Sequence, residues 1–404
     1  MPTRTKNDIE IVSVSRSPTT QDALSKYIKS ISLMSASSAR EYGFRLHGLA
    51  NFTKMEYKTN LDDLIKAIKE GSYDPYDILC NYIAYLQARN TISTSTLKQR
   101  VITAKNFLEY YDVDISPRKF KIKIKLPKIV RKDIDALTKE DIINILNACS
   151  DIRLKTYVML LASTGMRASE ALCTRLIDYD LGADPPKLLI RGEYTKTKVS
   201  RTVFLTQELV VQISLWLEYK YRTRRICHKD EKGGKTRIEY KTLRKNDRDL
   251  LFSVNSTNPS IRGLYFQFAA NFGKTLDRMG KGNREEVDHS RRRRITLHSM
   301  RRWVKSTISD LGYGDFSEFM IGHSSSTYYR RTVDEKAALF RKIEPYLTFL
   351  DYQQLERRGA DISAQLQEKD KQIQTLVKKQ EDFERLIQSL IDSGQLKPNP
   401  NTIH

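Results

Sequence analysis

Ile295-Thr-Leu-His298-Ser-Met-Arg301-Arg302-Trp303 is followed, a short helix and a turn later, by Ile321-Gly322-His323-Ser-Ser-Ser-Thr-Tyr328-Tyr329-Arg-Arg331, and the rest of the chain is read from these residues outward. His298 and Arg301 are three residues apart, so a helix opened by Thr296 or Ser299 places them on one face of its first turn. Backbone N–H groups at that end favour an anion, and a phosphate suits the position. Gly322-His323 is followed within about two helical turns by two adjacent tyrosines. The stretch thus offers two imidazoles, a guanidinium and a phenol. A phenolate attacks a phosphodiester if its proton is removed and fixed cations meet the charge of the transition state. Such chemistry needs no metal, but it needs more than one arginine, and it needs an acid for the leaving alkoxide.

Composition names the partner class. Of 404 residues, 70 are Lys or Arg and 49 are Asp or Glu, a formal charge of +21, with aromatics interleaved among the cations. That balance points to a polyanion, usually nucleic acid. No apolar run approaches the roughly 18 residues of a membrane span, and Met1 to Ser15 carries charges but no apolar stretch of a secretory signal. Cys80, Cys149, Cys173 and Cys227 form no Cys-x-x-Cys pair and read as reduced thiols of a cytoplasmic protein, not as zinc ligands. The length calls for two or three domains.

Taken in order, residues 1–20 are polar, without sustained period, and read as a flexible arm. Residues 21–116 carry helical spacing over Ser38 to Asn51, Leu61 to Ile68, Asp77 to Leu86 and a helix capped by Ser95, a four-helix or five-helix domain with basic outer faces. It is either a plain bundle or a clamp on one face of a DNA duplex. Residues 117–136, with a cation at nearly every second position and a proline at each end of Pro117 to Pro127, read as an extended basic linker without room for a helix. A third unit, 137–350, opens at Thr138 and Asp141, a capping-box-like start. Within it Leu154 to Ala162 reads as a buried helix, broken at Gly165 so that Arg167 begins the next. Glu170, one turn on, makes either a structural ion pair with Arg167 or a support for its contact with phosphate.

Lys187 to Arg191 and Ser200 to Leu205 alternate as the strands of a β-hairpin with Lys196 and Lys198 at its tip. A lysine partly removed from water is a competent general acid, because burial lowers its pKa. Residues 221–248 are dense in Lys and Arg and read as a solvated, mobile insertion able to touch backbone phosphates. Ile261 to Met279 reads as a helix with Leu264, Phe268, Phe272 and Leu276 on one side. Beyond Leu350, residues Ile362, Leu366, Ile373, Leu376, Phe383, Ile387 and Leu390 repeat at heptad spacing, interrupted by Lys369 and Gln380. Residues 351–404 therefore read as a coiled coil with a tail, or as a lone helix folding back. The expected class is mainly α with a small β-sheet.

Arg167, the lysine hairpin, His298-x-x-Arg301, Gly322-His323 and a following tyrosine, in this order, resemble the tyrosine recombinases of the phage integrase family. The Ser-Thr-Tyr-Tyr-Arg-Arg ending and the segment Phe340 to Leu350 look most like the archaeal and archaeal-virus branch. The resemblance implies a helical core-binding domain, a mixed α/β catalytic domain, and no cofactor, metal or membrane. Its partners would be double-stranded DNA carrying recombination sites and three further copies of the chain, a homo-tetramer on DNA. It also implies that Arg167 and Arg301 clamp the scissile phosphate, that His298 acts in proton transfer and that His323 bonds a phosphate oxygen. Lys196 would protonate the leaving 5′-oxygen and Tyr328 would form a 3′-phosphotyrosyl link. The chain departs from the family in the tyrosine, which follows His323 about one helical turn sooner than in most members. Tyr328 is the expected nucleophile, with Tyr329 and Tyr346 as alternatives. A topoisomerase-like relaxer and a DNA-binding regulator without catalysis are the other readings.

Overall fold

A computed structural model describes residues 22–89, 91–129, 136–228, 237–254, 259–284, 292–323, 331–350 and 352–393. The chain divides into two compact units, Met1–Asp133 with Arg284–Arg292, and Ile134–Asn283 with Arg293–His404. Helices dominate both, and the sheets are small. Among the described residues no helix is long and apolar enough to cross a membrane.

The first unit contains α1 (Ala23–Met34), α2 (Ala36–Glu56), α3 (Leu61–Lys69), α4 (Pro75–Ala88), α5 (Thr94–Tyr110) and α6 (Pro117–Lys123). Each begins at a side chain that accepts a hydrogen bond from a first-turn N–H: Asp22, Ser35, Asn60, Asp74, Ser93 and Ser116. Each such cap stabilises its helix by about 1 kcal/mol. Leu46, Leu49, Phe52, Leu79, Tyr82, Val101 and Phe107 bury their side chains in the shared core. Three expectations change here. The cap of α5 is Ser93, not Ser95, since Ser93 is the one that accepts from Thr96 N–H. Helix α1 is an addition, capped by Asp22 and set against the core by Ala23 and Tyr27 with Leu24, Ile28 and Ile31 beside them. The supposed helix-free linker holds α6: Pro117 sits at the first helical position, where a missing N–H costs nothing, and Ser116 caps it.

In the second unit α7 (Lys139–Ala148) starts with the capping box of Thr138 and Asp141. Its neighbour α8 (Ile152–Thr164) is buried from Thr156 to Thr164 without a break. A helix apolar on all sides must be wrapped on all sides. It is wrapped by α7, α9 (Ala168–Cys173), α10 (Gln207–Tyr221), α11 (Ile261–Arg278) and α12 (Leu297–Asp310). Strands β1 (Tyr179–Asp180), β2 (Lys187–Ile190) and β3 (Arg201–Phe204) form an antiparallel sheet with Leu188 opposite Val203 and Ile190 opposite Arg201. Its inward side chains Leu188, Ile190 and Val203 join the α8 core.

The segment read as a mobile insertion is instead partly a β-ribbon. Strand β4 (Arg224–His228) pairs antiparallel with β5 (Arg237–Lys241), and residues 229–236 between them lie outside the described residues. Arg225 opposes Tyr240 and Ile226 opposes Glu239. These β-formers among the charges give the pairing that charge density masked in the sequence.

After α12 come α13 (Gly314–Ile321), α14 (Val333–Ile343) and the 41-residue α15 (Tyr352–Asp392). The approach to α15 is held by Glu208, 2% exposed in the first turn of α10, whose carboxylate accepts the N–H groups of Phe349, at 2.8 Å, and Leu350. Burial pushes the Glu208 carboxyl up to about 7, against the pull of those two donors. Its folded pKa therefore exceeds the unfolded value of about 4.3. Such a group supports folding fully below the unfolded pKa, and the contribution is lost as pH rises through the folded one. Glu208→Gln cannot ionise, so its stability relative to wild type should rise between about pH 4.5 and 7. Urea midpoints across that range test this, and parallel curves would remove the assignment.

Candidate active site

Helix α8 stops because Gly165 turns the chain into the left-handed region at φ 65°. A side chain there is excluded twice, since a Cβ would meet Ile321 Cγ2 at 2.9 Å and Val304 Cγ1 at 3.1 Å. The turn brings Arg167 to the N-cap of α9 and Glu170 to its first turn. Glu170 is fully buried at 0% exposure. One of its oxygens takes Arg167 Nη1 at 2.6 Å, and the other takes Arg201 Nη2 at 2.8 Å and the Arg167 backbone N–H at 3.2 Å.

Arg301 approaches the same turn from α12. That helix is opened by Thr296, whose N–H bonds Ser299 Oγ, and Arg301 lies on its buried side at 4% exposure. Its Nη1 donates to the Gly165 carbonyl at 2.9 Å. Its Nη2 is buried and has no hydrogen-bond partner among the described residues. Leaving such a donor unmade costs about 1–3 kcal/mol.

The end of α13 completes the cluster. Gly322 closes the helix at φ 66°, and Arg201 packs against it so tightly that a Cβ would lie 2.6 Å from the guanidinium. Arg201 Nε donates to Met320 O at 3.2 Å, and Arg167 Nη2 reaches Gly322 O at 3.5 Å. His323, next in sequence, is half-buried, and its Nδ1 pairs with Glu318, which also holds Lys305 Nζ at 2.5 Å.

Electrostatics follow from three guanidiniums around one carboxylate. Burial, then the nearby Arg167, lower Arg301 to about 10, with Glu170 opposing. Burial pushes Glu170 up, but Arg201 and Arg167 reverse this and hold it below the usual carboxylate range. Burial likewise lowers Arg201, and Glu170 pulls it back. The cluster remains short of negative charge. A tetrahedral oxyanion supplies charge and acceptors together.

The residues named from sequence meet different fates. Arg167 and Arg301 take the carbonyls of Gly322 and Gly165, and His323, next to Gly322 in sequence, has its Nδ1 on Glu318. His298, on the first turn of α12, is exposed. Lys196 is exposed on the β2–β3 connection, which contains a 3-10 turn over Gly192–Tyr194 and the buried Thr195. Tyr328 and Tyr329 lie outside the described residues. Tyr346 is in the 3-10 turn Glu344–Leu347 and is 49% exposed. Arg302 is exposed, with Nη2 on Ser299 Oγ at 3.0 Å.

Arg201 was missed, although a signal existed. It lies two residues before Val203 on β3, so strand alternation aims it at the core. A charge on an apolar strand face demands a buried partner.

Residues 135–327 match the phage integrase family. The matched residues include Arg167, Glu170, Arg201 and Arg301. The chain is similar to tyrosine recombinase XerA of Saccharolobus solfataricus, 31% identical over 125 residues that make up 31% of this chain and 39% of the relative. That alignment spans well under half of the relative's length. Among solved structures it is similar to XerH site-specific recombinase bound to its difH substrate (16% identity, 84% of both chains covered, TM-score 0.48). It is similar also to a lambda integrase dimer bound to a COC′ core site (12% identity, 76% of both covered, TM-score 0.46).

Removing Glu170 would strand the buried Arg201 and the part-buried Arg167, and breaking a buried pair from one side costs about 3–5 kcal/mol. Glu170→Ala should lose stability in that range in chemical denaturation, and sulfate should restore part of it. A loss under about 1 kcal/mol would mean the cluster is solvated, as for exposed pairs.

Proposed function

We propose that this protein is a site-specific DNA recombinase of the integrase or excisionase kind, cutting and rejoining double-stranded DNA through a 3′-phosphotyrosine intermediate. The observation that carries the proposal is the buried, unpartnered Nη2 of Arg301 beside Arg167, two guanidiniums held in place with hydrogen-bonding capacity left for a phosphate.

In this reading the scissile phosphate binds across Arg167 and Arg301, with His323 on a further oxygen. Arg201 stays out of direct contact, buried with its Nη2 on Glu170 and its Nε on Met320 O. Its work is to share Glu170 and so to orient Arg167. His298 accepts the phenolic proton as the Tyr328 oxygen attacks phosphorus. The bond from phosphorus to the 5′-oxygen breaks, and Lys196 delivers a proton to that oxygen. The 3′-phosphotyrosyl bond retains the energy of the broken linkage, so a 5′-hydroxyl from another strand reverses the steps and seals the joint. Each attack on phosphorus is matched by one departure, and the number of phosphodiester linkages is conserved. Strand exchange between two duplexes calls for four protomers, in the cytoplasm where the DNA lies. The charge of +21 supports a DNA partner.

A nicked suicide duplex carrying the cognate site tests the chemistry by formation of an adduct that survives denaturing detergent. Wild type should give the adduct. Arg301→Ala or Arg167→Ala should slow it about 100-fold or more, the usual cost of one transition-state donor. Tyr328→Phe should abolish it and Tyr329→Phe should not. Lys196→Ala should be slow on normal DNA and should recover on DNA with sulfur at the bridging 5′ position, because a thiolate leaves without an acid. Relaxation of supercoiled plasmid without sites would instead favour a topoisomerase-like relaxer. Absence of any adduct from wild type would favour a DNA-binding regulator.

A further inference from the structure

Helix α15 runs for 41 residues, about 60 Å. From residue 368 to 387 every side chain is exposed except the half-buried Val377. Ile373 (41%), Leu376 (65%), Phe383 (63%), Leu386 (55%) and Ile387 (38%) all face water. A soluble chain seldom leaves such a stripe uncovered without a partner. Here the sequence itself indicates the occupant.

The seam positions read Ile362, Leu366, Lys369, Ile373, Leu376, Gln380, Phe383 and Ile387, at alternating steps of four and three. They are symmetric in character about the midpoint between Gln374 and Thr375. Turned end for end, the series sets Ile362 against Ile387, Leu366 against Phe383, Lys369 against Gln380, and Ile373 against Leu376. From Ile362 to Ile387 every apolar position then meets an apolar one and each of the two polar positions meets the other, while Leu390 beyond them faces Gly359. We propose that α15 is an antiparallel dimerisation helix whose partner is the same helix of a second copy, in this register.

The parallel arrangement is the competitor, and charge decides against it. Side by side and in register, it brings Lys369 against Lys369 inside the seam, where two ammoniums are shielded from water and repel. In return it offers Lys379 to Glu384 across the rim, an exposed pair of small worth. End for end, the Lys369 ammonium meets the amide of Gln380, whose nitrogen already donates to Glu384 Oε1 at 3.3 Å along its own helix, leaving the amide oxygen to accept. Buried polar positions of this kind are known to fix register and orientation in coiled coils. The proposal stands apart from the catalytic reading and does not need DNA.

Two measurements on the full-length chain test it. Light scattering after size exclusion should give a dimer or a higher even assembly for wild type, and a halved mass for Leu376→Glu/Phe383→Glu, whose sites are exposed in the monomer and so leave its fold intact. Equal masses would overturn the proposal. Disulfide trapping then reads orientation against the wild-type background. In the proposed register residue 383 of one copy is about 25 Å from residue 383 of the other and directly opposite residue 366. Phe383→Cys alone should therefore not cross-link, while a mixture of Phe383→Cys and Leu366→Cys should give the mixed dimer. Ready cross-linking of Phe383→Cys to itself, with no mixed product, would establish the parallel pair and overturn the inference.

Discussion

Everything at the site depends on one buried carboxylate. Glu170 has no exposure and two guanidinium partners, Arg167 from its own turn and Arg201 from a strand 31 residues on. A lone carboxylate could not stay charged in that position, and the buried Arg201 could not sit beside the part-buried Arg167 without it. The three groups stabilise one another, and the surplus positive charge is what makes the position useful. Arg301 adds a third guanidinium that is anchored to a carbonyl, with no carboxylate bonded to it among the described residues. The protein accepts an electrostatic cost in its folded state that a bound phosphate would relieve.

The backbone around the cluster is shaped by two glycines in the same left-handed conformation. Gly165 ends α8 and lends its carbonyl to Arg301, and Gly322 ends α13 and lends its carbonyl to Arg167. Neither has room for a Cβ, because Ile321 and Val304 crowd the first and Arg201 crowds the second. Helix ends leave their last carbonyls without partners within the helix, and here arginine side chains take them. Termination of two helices and placement of the cations are thus the same event. Helix α8, buried all round, gives that event a rigid support, which a surface loop would lack.

Around this fixed centre the other named groups are less constrained. Lys196 rides on a connection whose backbone is tied down by Thr195 and Ser200 but whose own side chain is in water. His298 is one turn from Arg301 yet on the opposite side with respect to burial. A site divided in this way suits a large polyanion. In the proposed reading the arginines would hold a phosphate, and the exposed Lys196 and His298 would become enclosed only when a duplex covers them.

The sequence by itself determined the helices with strong period and cap, α7 with its Thr138 box, α8 with its unbroken apolar run, and α11 with Leu264, Phe268, Phe272 and Leu276. It determined the break at Gly165 and singled out Arg167, because a glycine after an apolar run ends a helix and a charge beside such a run needs a partner of opposite sign, while the i, i+3 spacing to His298 singled out Arg301 and the Gly-His pair His323. Local information fails where a feature depends on what lies across the fold. Pro117 reads as a helix breaker until Ser116 is seen to cap it, and the basic stretch after Tyr221 reads as solvated until β4 and β5 are seen to pair. Whether Glu170 was a structural partner of Arg167 or a support for its phosphate contact was left open in the chain for the same reason. Only the tertiary structure brought Arg201 to it from β3, since a buried charge is tolerated according to its neighbours in space, and those neighbours are distant in sequence.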